Sequence, residues 1–392
     1  MSWRQLFLSE LKAVFTNPAI IFTVFGGVLM YSLIYPLPYS NQLPREQQIA
    51  VVNLDNSAVS RTLIRMVDAT PQVAVMKTAA SIEEAKSWIQ AQEVKGMLVI
   101  PEHFYRDLLL GTSPTVSFAG DAALFLVYGT VVEGLATATG TLSAEAKVAR
   151  MIIEGDNLTL ASEQYASLKL NMRPVFNPTM GYINYVVPAV FVLILHQTLL
   201  IGSALVGAAQ SEMHRTAGPG YWHTCSPWRM IFTRICLFTM IYMPLCAYYF
   251  GFSFDYYGIS RQASIGDMVM LTVPFLISVT ALGIVIGELI PRKELATVIV
   301  LLSSLPLVFS AGFVWPVSAL PAPVYWLAQW VPSTPAINGF LRLNQMGASF
   351  SQISAWWFQL WGLAVLYSLA ALGLVFRNRR RRERVSEAPA TV

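Results

Sequence analysis

The side chains able to do chemistry are few and poorly grouped. The chain has four histidines. One of them, His196, stands beside Gln197 near the middle of a long apolar run. A polar pair at that depth marks either a proton or ion pathway or a hydrogen bond between helices. His223 and Cys225 are two positions apart, too little for a metal site, and HExxH and CxxC are missing, so no metal is expected. There is no GxSxG elbow for a nucleophilic serine. No GxxxxGK[ST] loop exists, and the dipeptide Gly-Lys does not occur at all. The chain therefore has no P-loop with which to cradle ATP. Glu83, Glu84 and Asp68 read as a solvated helix face, and the triplet Asn157-Leu158-Thr159 as a chance sequon. Asp267, Glu288 and Glu294 sit at the ends of apolar runs. With no carboxylate near the middle of any run, a proton-driven antiporter is disfavoured. Energy for any transport has to come from another protein.

The elements that carry these residues belong to a membrane protein. Hydrophobic residues make up 55% of the 392 and charged residues 12%, against about 25% charged in soluble domains. The net charge of +4 forms no nucleic-acid-binding face, so that class is set aside. The three cysteines lie outside the large polar segment and offer no disulfide framework. The first apolar run reads as a retained anchor, without a signal-peptide cleavage pattern. Six runs are long enough to span a bilayer, near 19–37, 181–208, 229–252, 266–289, 294–314 and 356–376. Lys and Arg gather at one set of ends: Arg4, Lys12, Arg215, Arg229, Arg292, Lys293 and the run Arg377 to Arg384. The positive-inside rule then makes both termini cytoplasmic. Arg234, one turn inside the third run, is expected to snorkel to the interface.

Residues 1–17 read as an amphipathic helix on the inner leaflet, with Trp3, Phe7, Leu11 and Val14 on its apolar face and Arg4, Glu10 and Lys12 polar. Residues 18–38 are the first span and 39–178 a different material. There, strand-like IAVVNL, VAVM, GMLVI and TVSFA alternate with helical segments, and Ser81 with Glu84 forms a capping box. That alternation implies an α/β domain with a largely parallel sheet, followed by long helices. Residues 179–376 hold five further spans, and 377–392 a basic cytoplasmic tail. The expected fold is an α-helical polytopic membrane protein of six transmembrane helices with an inserted extracytoplasmic α/β domain. One stretch fits neither span nor loop. AGFVWPVSALPAPVYWLAQWVPSTPA is apolar and rich in Trp, yet prolines interrupt it throughout.

The whole chain resembles permease subunits of bacterial ATP-binding cassette exporters, of the type-2 class with a large periplasmic domain between the first two spans. Three quoted stretches carry the likeness: VVNLDNSAVSRTLIRMVDATPQVAV, NPTMGYINYVVPAVFVLILHQTLLIGSALVGAAQSE and FSAGFVWPVSALPAPVYWLAQWVPSTPAINGFLRL. The last is the most specific. The resemblance implies that 315–350 is a re-entrant hairpin, kinked by Pro316, Pro321, Pro323 and Pro332 and carrying Trp326 and Trp330 at the interface. It also implies that 209–228 is a cytoplasmic coupling loop, with Glu212, His214 and Arg215 in the place of the family's charged run. The Gly-Pro-Gly at 218–220 departs from that pattern. Such a protein sits in the bacterial inner membrane and carries no cofactor of its own. A separate ATP-binding cassette subunit binds and hydrolyses ATP. A second permease chain, identical or paralogous, completes the pathway, and a periplasmic membrane-fusion protein and membrane lipid are further expected partners. The implied activity is export of an amphipathic or hydrophobic substrate. The alternative is a non-transporting receptor or secretion scaffold of similar layout.

Overall fold

The computed structural model describes residues 1–40, 44–165, 174–177, 180–218 and 220–387, without the side chains at 215, 217 and 381–387. The chain divides into two compact units, Met1–Gln42 with Pro174–Val392, and Leu43–Arg173. The first unit begins with α1 (Trp3–Phe15), which opens on a reciprocal cap: the Gln5 amide donates to the Ser2 hydroxyl, and the Ser2 amide to the Gln5 side chain. Asn17 caps α2 (Pro18–Tyr39), where Pro18 occupies the first turn and needs no amide donor.

The second unit is built on a four-stranded sheet in the order β2-β1-β3-β4. Its elements run β1 (Gln47–Asn53), α3 (Ala58–Asp68), β2 (Val73–Ala79), α4 (Ile82–Gln90), β3 (Gly96–Ile100), α5 (Phe104–Leu109), β4 (Ser117–Gly120), α6 (Phe125–Ile153) and α7 (Leu158–Gln164). β1 pairs parallel with β2 and β3, and β4 closes the edge antiparallel to β3. Ile49, Val51, Leu98 and Ile100 face Leu63 and Val67 of α3 and Val131 and Leu135 of α6. Ala50 and Val52 face Ala85 on the other side. A strand covered on both faces needs an unbroken apolar run rather than alternation, which is what IAVV supplies. Ser81 accepts from the Glu84 amide, while the Glu84 carboxylate reaches past Ser81 to the Ala80 amide.

The first unit resumes with α8 (Tyr182–Ala217), α9 (Pro227–Tyr256), α10 (Ile265–Leu289), α11 (Glu294–Ser310), α12 (Ala322–Ala328), α13 (Ser333–Phe340) and α14 (Phe350–Glu387). α8 is the central helix and packs on α2, α10, α11 and α13, and α14 runs along α10. Close approach of α8 and α10 depends on Gly283 and Gly287, four apart on one face. A Cβ at Gly287 would stand 2.6 Å from the Ala204 carbonyl oxygen. Small residues at such spacing let helix backbones approach in a membrane.

Among the described residues, six helices are long and apolar enough to cross a membrane: α2, α6, α8, α9, α10 and α14 up to Arg380. Five coincide with runs read from the sequence. The sixth, α6, lies in the sheet-containing unit, and its buried Val131, Leu135, Ala138 and Leu142 join the core under the sheet. Its apolar character thus already has a use within that unit. The run after Glu294 forms a 17-residue helix, α11. At ~1.5 Å per residue it is about 26 Å long, at the short end of what spans a bilayer.

Candidate functional site

Helix α1 buries Leu6, Glu10 and Val14, a stripe spaced four by four, rather than the Trp3, Phe7, Leu11 and Val14 stripe expected from hydrophobicity. Phe7 and Leu11 are only partly buried beside it. A carboxylate can lie on a buried stripe because a cation meets it. Arg234 of α9 donates from Nε to Glu10 Oε2 and from Nη2 to Glu10 Oε1, both at 2.8 Å. Both residues have no exposed surface. Arg234 therefore turns inward to a partner 224 positions away, and the expectation that it snorkels is corrected. A parallel two-bond guanidinium–carboxylate pair is the geometry that best offsets the desolvation of two charges.

Two further groups complete the cluster. Gln210, in the last turns of α8, accepts from Arg234 Nη2 at 2.7 Å and donates to Glu10 Oε1 at 3.3 Å. It also donates to the Tyr221 hydroxyl at 2.7 Å, which in turn donates to Glu10 Oε1 at 3.0 Å. Burial, and then the Glu10 carboxylate beside it, push the Tyr221 hydroxyl well above the usual phenol range, so it stays a donor. The cluster thereby ties α1, the end of α8, the following loop and the start of α9 into one piece. Aromatic contacts repeat the tie: the Trp3 ring meets Trp228 at 5.5 Å and Phe232 at 5.8 Å, and the Arg229 guanidinium lies 4.6 Å over Trp3. Arg379 of α14 holds the loop from another side by donating to the carbonyls of Cys225 and Trp222.

The anticipated coupling residues lie close to this cluster. Glu212 forms an ion pair with Lys293 at 3.5 Å, which bridges α8 to the residue before α11. His214 stacks on His223 at 4.6 Å. The Arg215 side chain lies outside the described residues. Beside the cluster opens a mostly apolar cavity of about 1200 Å³ between α1, α2, α8 and α11. Ile20, Leu205, Val206 and Val298 line its apolar walls, and Lys12 and Lys293 stand at it with Glu294.

The polar pair in α8 separates in the structure. Gln197 donates to Ser304 of α11 at 2.7 Å. His196 is fully buried, and neither of its ring nitrogens has a hydrogen-bond partner among the described residues. The two share no hydrogen bond.

The proline-rich stretch forms two short helices. Pro316 precedes a tight turn at Val317–Ala319, Pro321 and Pro323 open α12, and Pro332 caps α13. Trp326 and Trp330 are exposed, whereas most of α13 is buried. Breaking a helix frees carbonyls, and distant side chains take up several of them. Tyr185 donates to Phe313 at 2.5 Å, Asn338 to Ala311 at 3.1 Å and Gln359 to Gln329 at 2.9 Å, and Tyr367 donates to the Trp330 carbonyl. Irregular backbone at membrane depth needs such partners within the protein.

Comparison with curated proteins finds no match. A protein-family model does match: that of the ABC-2 family transporter protein, over residues 18–372. The chain belongs to the ABC-2 transporter family, as a multi-pass membrane permease component whose ATPase activity resides in separate subunits.

Proposed function

We propose that the chain is the transmembrane half of a bacterial inner-membrane exporter that moves an amphipathic or hydrophobic substrate. The single observation that carries this reading is the roughly 1200 Å³ apolar cavity between α1, α2, α8 and α11. It offers lodging for an apolar cargo, with Lys12 and Lys293 able to attract a polar head. An apolar recess of this size favours a transporter over a receptor or scaffold. In this reading residues 39–178 are extracytoplasmic and both termini cytoplasmic, in line with the Lys and Arg at the span ends. The prolines and exposed Trp326 and Trp330 suit a re-entrant hairpin over 315–350. A second permease chain completes the path, and a periplasmic membrane-fusion protein receives the cargo.

The ATP-binding cassette subunit docks on α1 and on 209–228, near Glu212, His214 and Arg215. Because Glu10 and Gln210 join α1 to α8, a push on either is carried to both as a rigid-body motion. The test is co-reconstitution of the permease and its ATPase in proteoliposomes. Glu212→Ala and Arg215→Ala are expected to lower ATP-dependent transport at least tenfold while leaving the unfolding midpoint unchanged. Transport by the permease alone on a proton gradient, lost in His196→Ala, would overturn the proposal in favour of a secondary transporter.

A further inference from the structure

The unit Leu43–Arg173 holds a cleft of about 510 Å³ between α3, α5, the loop after α5 and α6. That volume falls within the roughly 300–1,000 Å³ of small-molecule sites. Its floor is apolar: Leu63 and Phe104 are buried beneath it, with Leu108, Val116 and Leu142 around them. The cleft exists because α6 presents small residues there, Ala136, Gly140, Ser143 and Ala146, where larger ones would fill it.

One end is cationic. Lys147 and Arg150 are three apart on α6, so they share a face. Among the described residues, no Asp or Glu lines the cleft. Lys147 makes no ion pair among the described residues, and Arg150 has only a loose, exposed one with Glu154 at 3.8 Å. The Arg150 guanidinium lies against the backbone at Gly111, where φ is +74° and a side chain would displace it. The Ser113 and Ser143 hydroxyls also line the cleft and make no hydrogen bond among the described residues. An apolar floor ending in Lys147, in Arg150 held only loosely by Glu154, and in two spare hydroxyls is complementary to an amphipathic anion.

We propose that this cleft binds an amphipathic anion, an alkyl chain with a single carboxylate or phosphate head. The chain lies on Leu63, Phe104 and Leu142, and the head meets Lys147 and Arg150. The site is built within one unit and stands whatever the cargo or direction of transport.

The test uses the full chain in nanodiscs of neutral phosphatidylcholine, free of detergent. The probe is decanoate carrying a terminal diazirine, photo-crosslinked and mapped by peptide mass spectrometry. Labels are expected within 104–116 and 136–147. Excess decanoate or decyl phosphate should displace them, whereas decylamine should not. Gly140→Trp should reduce labelling at least tenfold, since Gly140 lines the cleft and nothing stands within 4 Å of a Cβ there, so that the side chain can start out into the open space. Lys147→Glu with Arg150→Glu, both at exposed positions, should do the same without touching the core. Displacement by decyl phosphate but not by decanoate would assign the site to phosphate heads, and the reverse to carboxylates. Labelling unchanged in both variants, equal displacement by decylamine, or labels confined to the membrane helices would overturn the proposal.

Discussion

Glu10 and Arg234 each looked unremarkable where they stood: one polar residue on an amphipathic helix, one cation close to the end of a span. Their pairing was illegible because 224 positions separate them, and no local pattern reports a contact so remote. A signal did exist. Arg234 lies within an apolar run with no acid near it in sequence, and such a charge requires a partner from elsewhere. Breaking the pair should be costly, because each single change strands a buried charge. Glu10→Gln or Arg234→Met is expected to destabilise the chain by about 3–5 kcal/mol, read as a lowered unfolding midpoint of the purified permease. Glu10→Leu combined with Arg234→Met should recover much of that stability. A Glu10→Gln protein that melts with the wild type would mean that the pair holds nothing together. His196 was marked by its depth alone, and in the structure neither of its ring nitrogens has a hydrogen-bond partner among the described residues.

Elements were more legible than contacts. The alternating strands and helices of the inserted segment, the N-terminal amphipathic helix and the apolar runs all follow from periodicity and caps, which are local. Composition alone does not tell a helix that faces lipid from one that packs on a sheet, and so α6 passes the same length and hydropathy test as the true apolar runs. Gly283 and Gly287 stand four apart in the sequence, but nothing local says that a helix crosses there or which one it is. The structure assigns Ser203 and Ala204 of α8 as their neighbours. Gly287→Leu should therefore force α8 and α10 apart, because the obstacle is the Ala204 backbone and backbone cannot rotate away. Overpacking of this kind costs about 1–3 kcal/mol. Gly373→Leu on α14, where a Cβ meets nothing within 4 Å, is the matched control. Equal unfolding midpoints for the two variants would show that the crossing tolerates a side chain.

For the molecule as a whole, charge distribution makes a prediction that packing does not. In a background without Cys225, Cys236 and Cys246, Ser81→Cys should react with a membrane-impermeant maleimide from outside the cell and Ser386→Cys only after permeabilisation. Reaction of both from the same side would reject the even number of crossings. The sequence reading placed a segment of different composition at 39–178, and in the structure a compact unit spans Leu43–Arg173. What the sequence concealed is how the α8–α9 loop is fastened. Its carbonyls at Trp222 and Cys225 accept from Arg379, near the far end of the chain. A ribosome makes residue 379 more than 150 residues after that loop. During biosynthesis the loop can therefore gain its ties to α1 and α8 through Tyr221 first, and the fastening by Arg379 has to wait until α14 has been made. A chain made only as far as α13 lacks this one of the contacts that hold the loop in place, so the order of translation sets the order in which the loop is secured.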